Sequence, residues 1–358
     1  MSFVDDLIPL ILDAHHHWWP RDLAALTLVS ASWLYYARKR LYAHPIIPSF
    51  PAAVLLTRSL KENPSLAPLI TGISLRPTAG DASVRHQSAF AEQRAIRHLL
   101  QLEGLRSLTL GGELAVNADV FLKFILYPDE LQEIHIDGSL LEERLTHCPC
   151  LEWDEVLAFA FPELRRLRLT QIDVEIMLPH PSYSSSITSL VVENVHIIYG
   201  HLSHLIQGTK ALDRLHITTT DAGVMDEEIR LVLASCAVDC LHYDMRKDSN
   251  INQFFVDAPD GLVSLRCLHL DGHFVDAGVL MGVASMCRNV VELVVSGRGV
   301  RVSAEEWVHF VKSEGMNSLR RLGLPWGTNN PPFTTWPVAE VDAIRTACAS
   351  RKTPLTVW

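Results

Sequence analysis

At 358 residues the chain exceeds one ordinary compact domain, and its 48% hydrophobic and 20% charged side chains describe a folded protein. The net charge of −10 argues against a general nucleic-acid binder, which needs a basic face to displace counterions, and disfavours docking on anionic membranes. No apolar run approaches the roughly 20 residues of a membrane span. Seven scattered cysteines, with no basic, apolar signal at Met1-Ser-Phe-Val-Asp-Asp, suit reduced thiols in the cytoplasm or nucleus.

Residues 1–48 are expected to form three short helices. The first is Asp6-Leu-Ile-Pro-Leu-Ile-Leu-Asp13, with Asp5 or Asp6 as its cap and Pro9 tolerated near its start. The second begins at Pro20-Arg-Asp-Leu23 and carries Leu23 and Leu26. The third carries Trp33, Ala37 and Leu41, with Ser30 or Ser32 as cap. Between the first two lies His15-His-His-Trp-Trp19. Adjacent loop histidines point apart and lack a neighbouring ligand at metal spacing, so no metal is expected there. Trp18 and Trp19 are either an exposed anchor or packing against the first repeats. Residues 49–68 read as a connecting helix.

Residues 69–336 then repeat one pattern, apolar-x-x-apolar-x-apolar. It starts at Ile70, Leu105, Leu131, Leu164, Ile187, Leu212, Val238, Leu265, Val290 and Leu319. The start numbers step by 35, 26, 33, 23, 25, 26, 27, 25 and 29, and seven of these nine steps match the period of leucine-rich repeats. The last two apolar positions of each pattern are two apart, so they share one face of a strand. Segments with helical spacing fall between strands, at 120–126, 229–233 and 307–311. No strand–helix unit covers its own apolar face, so neighbours stack. The expected fold is an α/β leucine-rich-repeat solenoid, with a curved parallel sheet on the concave face and helices on the convex face. Residues 337–358 are expected to cap it. Val338, Val341, Ile344 and Ala347 lie on one helical face, and Leu355-Thr-Val357 forms a last strand.

The head resembles the F-box motif in Asp6-Leu-Ile-Pro-Leu-Ile-Leu, in Pro20-Arg-Asp-Leu-Ala-Ala-Leu-Thr-Leu-Val-Ser-Ala-Ser-Trp33 and in Ala37-Arg-Lys-Arg-Leu-Tyr42. Its Leu-Val-Ser-x-x-Trp-Leu style is similar to that of fungal F-box proteins with leucine-rich repeats. The resemblance runs from Asp6 to Tyr42. It implies a helical hook that binds a Skp-type adaptor, and through it a cullin complex, with Leu7, Ile11, Leu12, Leu23, Leu26, Val29 and Trp33 as adaptor-contact or hook-core residues. Phe3-Val4 stands where the family has Leu-Pro, and His15–Trp19 lengthens the first loop.

A second candidate surface comes from the repeat itself. The outward position between the last two apolar residues runs Ser74, Thr109, His135, Arg168, Val191, His216, His242, His269, Val294, Gly323. Adjacent strands lie about 4.8 Å apart, so His216, His242 and His269 should stack. Two positions on, Thr218, Asp244 and Asp271 share their face. This patch is the candidate target-binding centre, with charge expected to change near neutral pH; a solvated polar face is the alternative. No nucleophile elbow, phosphate loop or zinc-protease motif is present, and His147 beside Cys148 has no productive geometry as sequence neighbours.

The functional expectation is a non-catalytic, cofactor-free substrate-recognition subunit of a Skp–cullin–F-box ubiquitin ligase. The hook would bind the adaptor and the repeats a target protein, with neither nucleic acid nor membrane as partner. The alternative is a leucine-rich-repeat scaffold or receptor whose hook engages no adaptor.

Overall fold

The computed structural model describes residues 5–14, 18–78, 89–141, 149–246, 254, 260–328 and 333–357. Phe3-Val4, the three adjacent histidines at 15–17, His147 and Cys148 lie outside these. The chain divides into two compact units, residues 1–151 with 159–164, and residues 152–158 with 165–358.

The first unit opens with a 3-10 turn, Asp5–Leu7, running into α1 (Ile8–Ala14). Pro20 occupies the first position of α2 (Pro20–Leu26), where its missing N–H is no loss. Ser30 caps α3 (Ala31–Ala43), its hydroxyl accepting from the Trp33 N–H at 3.3 Å. Ile8, Leu12 and Leu23 form the centre of this cluster, with Trp18, Leu26, Trp33, Tyr36 and Leu41 packed around it.

Strand β1 (Ile46–Ile47) leads to α4 (Phe50–Glu62), capped by Ser49. Then come β2 (Gly72–Leu75), α5 (Ala89–Leu100), β3 (Ser107–Gly111), α6 (Ala118–Leu122) and β4 (Glu133–Asp137). The four strands pair in parallel in the order β1-β2-β3-β4. The helix expected over 120–126 is shorter than its apolar spacing predicts. Pro128 keeps Tyr127 out of helical geometry, and a turn replaces the helix after Leu122.

β5 (Cys150–Trp153), whose last two residues belong to the second unit, is followed by α7 (Glu155–Ala160). The second unit then runs β6 (Arg166–Thr170), β7 (Asp173–Ile176), β8 (Ser189–Glu193), β9 (His196–Tyr199), α8 (Leu202–Leu205), β10 (Ala211–Thr219), α9 (Ala222–Ser235) and β11 (Ala237–Met245). It continues with β12 (Cys267–Asp271), α10 (Ala277–Met286), β13 (Glu292–Ser296), α11 (Ala304–Lys312), β14 (Arg321–Leu324), β15 (Gly327–Thr328), β16 (Thr334–Thr335), α12 (Val338–Ser350) and β17 (Leu355–Val357). Its main sheet is parallel throughout, in the order β6-β8-β10-β11-β12-β13-β14-β17.

The protein is therefore α/β, and each of the ten spaced motifs supplies a parallel strand. Their second and third apolar residues, such as Leu215 with Ile217 and Leu268 with Leu270, are buried. Two features depart from the repeating strand–helix expectation. After β6 and β8 the chain forms further strands, β7 and β9, which join β5 in a three-stranded sheet. The step from the motif at Leu164 to that at Ile187 is the smallest of the series and leaves little chain for a full helix with its turns. At the end of the chain, Ile344 and Ala347 of α12 are buried as expected, whereas Val338 in its first turn is exposed.

Candidate functional site

The parallel register of β10, β11, β12 and β13 builds a grid of side chains on one face. Its first row is Arg214, Cys240, Cys267 and Glu292, its second His216, His242, His269 and Val294, and its third Thr218, Asp244, Asp271 and Ser296. The alternating partners of these residues, Leu215, Leu241, Leu268 and Leu293, are buried on the other face.

The histidines stack as their spacing implies. Ring centroids of His216 and His242 are 5.4 Å apart, and those of His242 and His269 are 4.0 Å apart. Carboxylates brace both ends of the stack. His216 Nε2–H donates to Asp244 Oδ2 at 2.8 Å, and His269 Nε2 lies 3.5 Å from Glu292 Oε1, which Arg321 also contacts at 3.0 Å through the other oxygen. The Ser296 hydroxyl donates to Asp271 at 2.6 Å.

At His242 and His269, charge does not follow the expectation of a change near neutral pH. Burial, reinforced by His269, His216 and Arg214, pushes His242 down to about 4 against the opposing pull of Asp244. Burial also lowers His269, against Glu292. Both rings are neutral at pH 7, each offering one donor and one acceptor beside the exposed carboxylate of Asp271. Such a surface suits a hydrogen-bonding or basic protein segment. Among the described residues, no group of three or more His, Cys, Asp or Glu could hold a metal ion.

The outward column is not uniformly open. Ser74 and Thr109 in the first unit are buried, and Gly323 is buried in the second, so these positions present no side chain to a partner. Cys240 and Cys267 were not singled out in the sequence, although each holds the same place in its motif, two residues after Val238 and Leu265 respectively. Their thiols hydrogen-bond, and burial with the neighbouring thiol pushes Cys240 up to about 12.

The head residues sort into two groups. Leu12 and Leu23 are buried in the cluster core, with Leu26 and Trp33 packed against them. Leu7, Ile11 and Val29 are exposed. Leu10, Leu28, Leu34 and Tyr35 also face solvent and were missed, because an apolar residue in a helical pattern reads as core unless its neighbours are known. Trp18 turns inward, its Nε1–H donating to the Leu12 carbonyl at 3.0 Å, while Trp19 is exposed.

No family model matches the sequence, and no curated protein matches it. No described helix is long and apolar enough to cross a membrane.

Proposed function

We propose that the chain is an F-box-like adaptor protein with a leucine-rich-repeat solenoid, acting as the substrate-recognition subunit of a Skp–cullin–F-box ubiquitin ligase. The observation that carries this reading is the dense set of uncovered apolar side chains on the three-helix head. Leu28 is 88% and Val29 62% exposed, and Leu7, Leu10, Ile11, Leu34 and Tyr35 join them, apolar surface of the kind a protein partner covers. The parallel strands of the second unit then present the His216–His242–His269 stack with Asp244 and Asp271 to the target. The protein supplies binding and orientation, and the chemistry is done by its partners.

The test is co-purification with a Skp-type adaptor. Wild type is expected to associate. Ile11→Asp and Val29→Asp, both solvent-facing, should lose roughly tenfold or more in affinity without a change in thermal unfolding. Leu12→Asp should instead unfold the head. No association by wild type removes the ligase reading and leaves a repeat scaffold. For the target face, Asp244→Lys with Asp271→Lys is expected to abolish target capture, and capture at wild-type level would exclude that face.

A further inference from the structure

A concentration of positive charge lies away from the strand grid, within the first unit. A cleft of about 740 Å³ is walled by the end of α4, one face of α5, and the segment around α6. Lys61, Arg94, Arg97 and His98 supply cations, and Phe90, Phe121 and Phe124 an apolar wall. Gln93, Gln101 and Asn117 add neutral amides. No carboxylate lines it among the described residues.

Helix α5 explains the grouping. Ala95, Ile96, Leu99 and Leu100 are buried, which turns Gln93, Arg94, Arg97 and Gln101 outward along the opposite face. Arg94 and Arg97 are three residues apart, a like-charge spacing that destabilises a helix. Lys61 reaches the same space from α4, and neither it nor Arg94 has an ion-pair partner among the described residues. Arg97 lies over the ring of Phe124, 4.2 Å from its centroid. Burial lowers His98, and Lys61 and Arg94 lower it further, so the positive field is felt inside the cleft. In a chain of net charge −10, these cations are grouped where they repel one another.

We propose that this cleft binds a small organic phosphate with an aromatic body and at least two negative charges, the chemistry of a nucleoside diphosphate. Two arginine forks and a lysine match the charge and geometry of a phosphate chain, whereas a single carboxylate would occupy one of them. The phenylalanine wall takes a flat ring, and the three amides can read its polar edge. The volume lies within the usual range of a small-molecule site. This site is independent of the adaptor reading, since it shares no residue with the head or the strand grid.

Calorimetric titration of the full-length protein with ADP, inorganic pyrophosphate and adenosine tests it. ADP should bind one to one, at least about tenfold more tightly than pyrophosphate, with adenosine weaker still. Arg94→Glu, Arg94→Gln and Lys61→Glu should each weaken ADP about tenfold or more, with thermal unfolding unchanged because both side chains are exposed. Arg345→Glu, on α12, should change nothing. Pyrophosphate binding as tightly as ADP would reduce the cleft to an anion patch and overturn the proposal. So would absence of ADP binding at millimolar concentration, or wild-type affinity in both Arg94 variants. A phosphotyrosine peptide binding more tightly than ADP would reassign the site to a protein ligand.

Discussion

His242 sits between two other histidines, and its burial there, reinforced by those rings, decides its charge. A folded value near 4 lies below the ordinary value of 6.5, so the unfolded chain takes up the proton first as pH falls. The stability this neutral ring contributes is therefore complete above pH 6.5 and is lost between 6.5 and 4. His273 adds to the effect in the same direction. Burial pushes it down to about 4, and its Nε2–H donates to the Tyr243 carbonyl at 2.9 Å. Thermal unfolding followed from pH 8 to pH 4 should show a plateau and then a fall starting near pH 6.5, by roughly 1–2 kcal/mol per ring after allowance for solvent at His242. His242→Gln should flatten that slope, and a slope identical to wild type would show that the ring is not held neutral. The stack was legible in the sequence because a fixed motif offset places equal positions side by side. The same offset pairs Cys240 with Cys267, so that contact was equally readable. What no spacing could reveal was the sign of the pKa shifts, which depends on how deeply the neighbours bury each ring.

At the scale of elements, polar side chains tie successive periods together. Glu228 on α9 is 5% exposed, yet its carboxylate accepts from the Leu202 N–H at 2.7 Å and from His201 Nδ1–H at 2.9 Å, which fixes the start of α8. Glu228→Ala leaves the Leu202 N–H without its acceptor and should cost about 1–3 kcal/mol, read as a lower unfolding midpoint in urea with an unchanged slope. Gly272 follows β12 at φ +70°, and a Cβ there would collide with the Met245 carbonyl of the preceding period. Gly272→Ala combines a left-handed backbone with that clash and should cost at least about 1 kcal/mol in the same assay. The ten motif strands were readable because each buries the same apolar positions, as with Leu322 and Leu324 in β14. β7 and β9 were not, since Asp173-Val-Glu-Ile176 and His196-Ile-Ile-Tyr199 are four residues each and acquire strand character only by pairing within the small three-stranded sheet. The cationic cleft was equally hidden. Its residues run from Lys61 to Phe124 and meet only when α4, α5 and α6 take their places.

Across the molecule, each main-sheet strand of the second unit pairs with its immediate neighbours in the array, so coupling passes from period to period. Trp307 on α11 is fully buried and stacks edge-on with Phe310 at 5.8 Å. Trp307→Ala should cost about 3–5 kcal/mol by the cavity it leaves. In hydrogen exchange the loss of protection should concentrate in β13, β14 and α11, with β2 to β4 of the first unit protected as before. Equal loss in both units would mean that the chain unfolds as a single cooperative block.

Two of the acidic side chains of α9, Asp226 and Glu228, also bear on how such an array changes by insertion and deletion. The stretch 212–237 is one period, and its excision in frame would bring β8 beside β11 with the leucine register intact. Yet Glu228 within it holds the element before, and Asp226 within it accepts the Tyr243 hydroxyl of the strand after at 2.7 Å. Losing the period would strip the N-terminus of α8 of its acceptor and strand a buried phenol at once. In-frame loss of this period is thus opposed by two carboxylates, even though the strand register would close over the gap.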